Sequence, residues 1–277
     1  METSPASLPH FYGKITETFL EGGNPLIPPD SLLKVWSLFD DFPMETLTKA
    51  WVYNQPSGPR QRTVREMIEH REQFGTSGNC FDLAIWLLHE LNSAGIEAHA
   101  IGSDFGTPEA HVGVLAYIDG YRYLCDLGDQ WIRPILIDSS SPDFVSEPVS
   151  GFFPAANVQV SSSPTDCKIT YHRPNGKISR QHYSLSKITE EELFEAGNSS
   201  QNSFSKPLCE MRIRNEDEVQ HWEFYNWSSF ISTNAGLFHD SPLISNEEWS
   251  ARIFSRTGIS PAVVRQALEF YSKLPSF

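Results

Sequence analysis

The sequence predicts a mixed α/β (α+β) protein, and three observations carry that expectation. Between Asp30 and Ala94 apolar residues recur at helical spacing. From Ile96 to about Ser186, short β-branched and aromatic runs alternate with Gly, Pro, Asn and Ser turn signals. Beyond about Phe204 the two patterns mix. The expected organisation is a helical part over 1–95, an antiparallel β-rich part over 96–197 and a C-terminal α/β part over 198–277, with no internal repeat.

In chain order, helical segments are expected around Ser31–Phe39, Met44–Val52 and Val64–Gln73, followed by a helix opening at Cys80. In that last segment Phe81, Ala84, Ile85, Leu88 and Leu91 keep the i, i+3, i+4 spacing. Gly95 stands where a C-terminal cap belongs, and Thr76 or Ser77 is the expected N-cap. Strands are expected over Ile96–Ile101, His111–Ile118, Tyr121–Leu127, Val158–Val160, Lys168–His172 and His182–Leu185. Pro134 demotes the run Trp131–Ile137 to an edge strand at best, because proline cannot donate to a ladder. Arg173-Pro-Asn-Gly176 reads as a hairpin turn, and Asp138–Pro142 and Ser161–Pro164 read as loops. Asn198-Ser-Ser-Gln-Asn-Ser203 reads as a linker. Leu208–Ile213 and His221–Asn226 look like strands, and a closing helix starts at Pro261 after Ser260, with Val263, Val264, Ala267, Phe270 and Tyr271 as its apolar stripe.

Composition narrows the function. With 39% hydrophobic residues, seven tryptophans and 277 residues, the chain can bury a sizeable core of two or three layers or subdomains. A net charge of −14 with no Lys/Arg cluster argues against a nucleic-acid partner, and it disfavours a large anionic co-substrate unless a local basic patch intervenes. No Gly-rich phosphate loop is present. There is no apolar run of about 18 residues, and Met1–Ala6 carries no basic-then-apolar signal segment, so no membrane contact and a cytoplasmic location are expected. The cysteines at 80, 125, 167 and 209 show neither metal-ligand spacing nor a disulfide framework; free thiols and no metal site are expected.

One constellation stands out. Cys80 lies in the first turn of its helix, where unpaired N–H groups and the helix dipole favour a thiolate. Asp119-Gly120 between two strand-like runs specifies a two-residue type I′ hairpin, in which Ile118 faces Tyr121 and Asp126 falls opposite Gly113. Gly113 shares its strand face with His111, so His111 and Asp126 become diagonal neighbours roughly 7–8 Å apart at the backbone, and Gly113 leaves that face uncrowded. Cys125 points to the opposite face. Taken singly, each residue has an ordinary structural reading, Cys80 as a small buried hydrophobe and His111 as a satisfied strand residue. Together Cys80, His111 and Asp126 supply the nucleophile, base and orienting carboxylate of thiol catalysis. Backbone N–H groups near Cys80 are the expected oxyanion donors.

At these residues the chain resembles the arylamine N-acetyltransferases, a branch of the transglutaminase-like cysteine enzymes. That family carries Arg-Gly-Gly-x-Cys-Phe-Glu at its nucleophile, against Thr76-Ser77-Gly78-Asn79-Cys80-Phe81-Asp82 here. Its later Asp-Val-Gly-Phe-Gly resembles Asp126-Leu127-Gly128-Asp129-Gln130. Resemblance is strongest over about 70–130; the arginine and first glycine of the first motif are replaced, as are the last two residues of the second. The resemblance implies an acyl transfer from acetyl-coenzyme A or another acyl thioester, through a Cys80 acyl-enzyme, to an arylamine, hydrazine or other small amine, with no bound cofactor. It also implies a C-terminal lid-like part helping to form the donor and acceptor cleft, with Phe204, Trp222 and Phe224 as candidate lining residues. Two other functions remain open on the same residues: a transglutaminase-like or peptidase-like amide enzyme, and a non-catalytic descendant that binds small molecules or a protein.

Overall fold

A computed structural model of the chain describes residues 27–105, 107 and 109–275. The Met1–Ala6 reading lies outside them. The helices are α1 (Asp30–Trp36), α2 (Leu47–Tyr53), α3 (Val64–Phe74), α4 (Cys80–Ser93), α5 (Glu190–Asn202), α6 (Asn246–Thr257) and α7 (Pro261–Ser272). The strands are β1 (Met44–Glu45), β2 (Glu97–Ser103), β3 (His111–Ile118), β4 (Tyr121–Cys125), β5 (Ile135–Leu136), β6 (Val149–Phe153), β7 (Ala156–Ser162), β8 (Asp166–His172), β9 (Ile178–Ile188), β10 (Leu208–Arg214), β11 (Val219–Tyr225), β12 (Ser228–Thr233) and β13 (Gly236–His239). The fold is α/β in the expected sense: helical first, then antiparallel β, then mixed.

Two sheets organise the chain. The larger has eight strands in the order β5-β4-β3-β2-β9-β8-β7-β6, and the smaller has five in the order β1-β10-β11-β12-β13. One core packs α1, α3 and α4 on the larger sheet through Trp36, Phe81, Leu83, Leu115 and Trp131. A second core packs α2, α6 and α7 on the smaller sheet through Leu47, Trp51, Trp222, Phe224, Trp249 and Val264. An early segment of the chain is therefore built into the C-terminal sheet, since Met44 pairs with Glu210 and Glu45 with Cys209. No helix among the described residues is long and apolar enough to cross a membrane.

The hairpin forms in the expected register. Ile118 pairs with Tyr121 and the ladder runs to Val114 opposite Cys125, so Asp126 follows directly after the last strand residue. Asp119 and Gly120 have φ of 53° and 83°, the two positive values a type I′ turn needs. The Arg173–Gly176 turn also forms, with Gly176 N–H donating to Arg173 O at 2.9 Å.

Several expectations need correction. Met44–Glu45 is strand and not helix, because Glu45 joins the ladder and its carboxylate accepts from the Thr48 amide at 2.7 Å, capping α2 from outside. Of Trp131–Ile137 only Ile135–Leu136 is strand, at the edge next to β4, and Trp131 is core. Asn198–Asn202 is not a linker but the last turns of α5, which starts from a capping box at Thr189 and Glu192. The strands β6, β12 and β13 and the helix α6 appear where no element was expected.

Gly120 tests the turn in isolation. A methyl group on it would touch nothing within 4 Å, so Gly120→Ala strains only the backbone. It is expected to lower stability by about 1 kcal/mol, the cost of a left-handed conformation for a non-glycine residue. A urea midpoint at the wild-type value would mean that this turn does not hold the register.

Candidate active site

The Cys80 turn is held from three sides. Asn79, and not Thr76 or Ser77, is the N-cap of α4: its Oδ1 accepts from the Phe81 and Asp82 amides at 3.0 and 3.2 Å, and Asp82 Oδ2 accepts from the Asn79 amide at 3.1 Å. Cys80 is thus the first residue of the helix. Thr76 and Ser77 are instead buried in the preceding loop, where the Ser77 hydroxyl donates to Pro43 O at 2.5 Å and the Gly78 amide donates to Glu45 Oε1 at 2.8 Å. The expected amide donors are partly taken: Phe81 and Asp82 serve the cap, which leaves the Cys80 N–H without a partner among the described residues.

A buried arginine stands against Asp82 although position 76 has none. Arg62 lies 3.3 Å from Asp82 Oδ2 and donates to Ser77 O at 2.8 Å, with both side chains almost fully enclosed. Gln61 and Gln201 complete the carboxylate's partners, at 2.8 Å to Oδ1 and 3.2 Å to Oδ2. Every oxygen of this buried anion is therefore engaged, as burial of a charge requires. No local pattern marks Arg62, Gln61 or Gln201 in the sequence, since the contacts span 20, 21 and 119 positions.

The three predicted residues come together. His111, at the start of β3, donates from Nε2 to Asp126 Oδ2 at 2.6 Å. The Cys80 side chain lies beside the imidazole, since a methyl on Gly128 would touch both Cys80 Cβ and His111 Cε1. Asp126 is fully buried, and sequence reasoning missed its supports. The Tyr183 hydroxyl donates to Oδ2 at 2.5 Å and the Asp129 amide donates to Oδ1 at 3.0 Å. Tyr183 comes from β9, and a methyl on Gly113 would already lie 3.4 Å from its Cε1; the space that Gly113 opens is filled by the tyrosine.

Gly128 is a second missed residue, and its position carries a visible reason. A methyl there would sit 2.7 Å from Cys80 Cβ, 3.0 Å from His111 Cε1 and 3.1 Å from Asp126 Oδ1. All three groups close on one α-carbon, and only hydrogen fits.

The electrostatics favour a charged pair. Burial opposes an imidazolium at His111, but the charges of Asp126 and Asp129 and the bonds to Asp126 and Cys80 outweigh it and hold the ring well above the usual histidine range. Burial likewise pushes Asp126 up, and is outweighed by the charge of His111 and by the bonds from His111, Tyr183 and the Asp129 amide, so its carboxyl stays below the usual range. Asp129, whose Oδ1 lies 3.9 Å from His111 Nε2 and whose Oδ2 accepts from Tyr171 at 2.7 Å, is pushed up to about 6 by burial and by Asp126. His111, Asp126 and Asp129 bring donor atoms within 4.8 Å of one another. Within that set both oxygens of Asp126 are committed to hydrogen bonds.

Beyond Asp129 a cavity of about 420 Å³ opens between the β8–β9 hairpin and the smaller sheet. The expected aromatic lining is not there. Trp222 and Phe224 are buried in the second core, and Phe204 packs with Phe270 at 4.7 Å between ring centres. Because strand faces alternate, β11 turns His221 and Glu223 to the cavity instead.

This architecture is similar to solved structures across nearly the whole chain. Mycobacterium marinum arylamine N-acetyltransferase in complex with CoA matches with a TM-score of 0.67 at 12% identity, covering 86% of this chain and 90% of that one. The fold is that of the arylamine N-acetyltransferases. The enzyme from M. tuberculosis matches with a TM-score of 0.67 at 12% identity over 87% and 92% of the two chains. A Bacillus cereus arylamine N-acetyltransferase, described by a Cys-His-Glu catalytic triad, gives 0.60 at 13% over 86% and 93%. At the level of sequence no protein-family model and no curated protein matches. The arylamine N-acetyltransferase fold is thus shared at 12–13% sequence identity to these structures.

Two measurements follow from the site. Burial pushes the thiols of Cys125, Cys167 and Cys209 up, that of Cys167 to about 12, whereas Cys80 is only half-buried. Limiting iodoacetamide at mildly acidic pH is expected to label Cys80 first in peptide maps; preferential labelling of another cysteine would remove Cys80 as the reactive thiol. As the pH rises through about 6, Asp129 loses its proton and a second negative charge appears beside the imidazolium. The His111 ring resonances should then shift with a midpoint near that pH, and Asp129→Asn should abolish the step. A step that persists in the variant would belong to another group.

Proposed function

We propose that the protein is a cysteine acyltransferase that moves an acetyl or related acyl group from a thioester, acetyl-coenzyme A by analogy with its structural neighbours, to a small amine of the arylamine class. The observation that carries this reading is the convergence of Cys80, His111 and the buried Asp126 on the Gly128 α-carbon, with His111 bonded to Asp126. The fold shared with the arylamine N-acetyltransferases supports the reaction class, and the CoA-bound M. marinum structure supports the donor. The cavity beyond Asp129 is the space adjoining the triad in which this reading places part of the substrate.

In this mechanism His111 holds the Cys80 thiolate as an ion pair, and Asp126 fixes the ring and stabilises its positive form. The sulfur attacks the acyl carbon of the thioester, and the Cys80 N–H faces the developing oxyanion. Collapse breaks the donor's C–S bond, and His111 protonates the departing thiolate. The incoming amine attacks the acyl-enzyme, His111 accepts the proton it sheds, and Cys80 leaves as the thiolate to restore the pair.

The test is mass spectrometry of the intact protein with acetyl-coenzyme A. One acetyl group on Cys80, discharged by an arylamine, is the expected result; acylation by a glutamine-containing peptide and not by the thioester would replace this reading with an amide enzyme. His111→Ala should slow acetylation at least about a hundredfold while the protein stays folded. Gly128→Ala should cost a comparable factor, because the added methyl forces the sulfur and imidazole apart. Near wild-type acetylation in a folded His111→Ala protein would exclude His111 from the mechanism.

A further inference from the structure

The smaller sheet carries a second polar cluster that the proposed acyl transfer does not use. On the face of β10 and β11 that lines the cavity, Glu210 and Glu223 are paired directly across the ladder, and His221 lies diagonal to Glu210. Their donor atoms all fall within 4.8 Å of one another. Two carboxylates directly opposite on one sheet face repel, and the arrangement persists only with a positive charge or a proton between them. His221 is 8% exposed and its Nε2, 3.3 Å from Glu210 Oε1, makes no hydrogen bond. This buried ring nitrogen thus faces the Glu210 carboxylate at ion-pair distance without completing a hydrogen bond to either carboxylate, which leaves it available as a donor.

The cations that face the cluster are committed elsewhere or lie on the far wall. Arg173, across the cavity on the β8–β9 turn, donates to Ser179 Oγ at 2.7 Å and lies over the Tyr171 ring. Lys177 lies on the same far wall. Neither forms an ion pair with Glu210 or Glu223.

We infer that Glu210, His221 and Glu223 form a binding site for a first-row divalent cation, with zinc the best-suited ion. An imidazole nitrogen and carboxylate oxygens are a donor set that zinc takes, and three protein donors leave further positions open to the cavity. A cation there neutralises the opposed carboxylates, uses the orphaned His221 nitrogen and offers a Lewis acid to an oxygen of whatever occupies the cavity.

The experiment is calorimetric titration of zinc chloride alone into a Cys80→Ala protein, which removes the only part-exposed thiol as a competing ligand. Its readout is independent of acyl transfer, so failure of one proposal leaves the other standing. One saturable site is expected, with Glu210→Gln and Glu223→Gln each weakening binding at least tenfold. No saturable binding, or affinity unchanged in both Gln variants, would overturn the site. If a variant does not fold, an anomalous difference map of zinc-soaked Cys80→Ala crystals decides: a peak between Glu210, His221 and Glu223 supports the inference, and a peak only at His111, Asp126 and Asp129, or none, overturns it.

Discussion

The buried carboxylate of Asp126 is the constraint around which the rest of the site is arranged. A carboxylate with no exposure is tolerated only when its oxygens are fully bonded, and here an imidazole, a phenol and a backbone amide take them. Each partner comes from a different place in the chain. His111 is delivered by the hairpin, Tyr183 by β9 two strands away, and the Asp129 amide by the turn that follows β4. Removing any one leaves the charge underbonded, so the geometry of the imidazole and the stability of this corner of the sheet are coupled.

The same logic operates one layer behind the thiol. Asp82 is a second buried anion, and its partners Arg62, Gln61, Gln201 and the Asn79 amide fix the first turn of α4. The first motif lacks an arginine at Thr76, yet a guanidinium reaches Asp82 from Arg62. Thr76 and Ser77 sit in a loop fastened by Glu45 and Pro43 O. The charge balance at this helix start is therefore supplied from a distant position of the chain, by Arg62.

What was legible in the sequence was local or periodic. Asp119-Gly120 fixes a turn type, the turn fixes the register, and the register brings His111 to Asp126 without knowledge of the rest of the fold. The α4 helix was readable from its apolar stripe, but its cap was misplaced because Thr76, Ser77 and Asn79 are all good capping residues and only the path of the loop selects among them. Asn198–Asn202 reads as a linker because Asn and Ser are weak helix formers. It is helical because Gly197 and Gln201 pack against Gln61 and Asp82, a tertiary override of propensity. Tyr183 and Arg62 carried no signal at all, since their roles exist only across long sequence separations.

The error at β11 has a different origin and a consequence. Trp222 and Phe224 attract attention as lining residues because they are large and aromatic, yet a strand's alternation sends them to the core shared with α6 and α7. The same alternation commits His221 and Glu223 to the cavity, with Glu210 opposite. A one-residue difference in which face is inward thus converts an expected apolar lining into an ionisable one. The cavity then joins the triad through a single shared residue, Asp129, which contacts the imidazole on one side and the open space on the other. Asp129 thus sets one carboxylate between the imidazole and the open space even though the two clusters belong to different sheets.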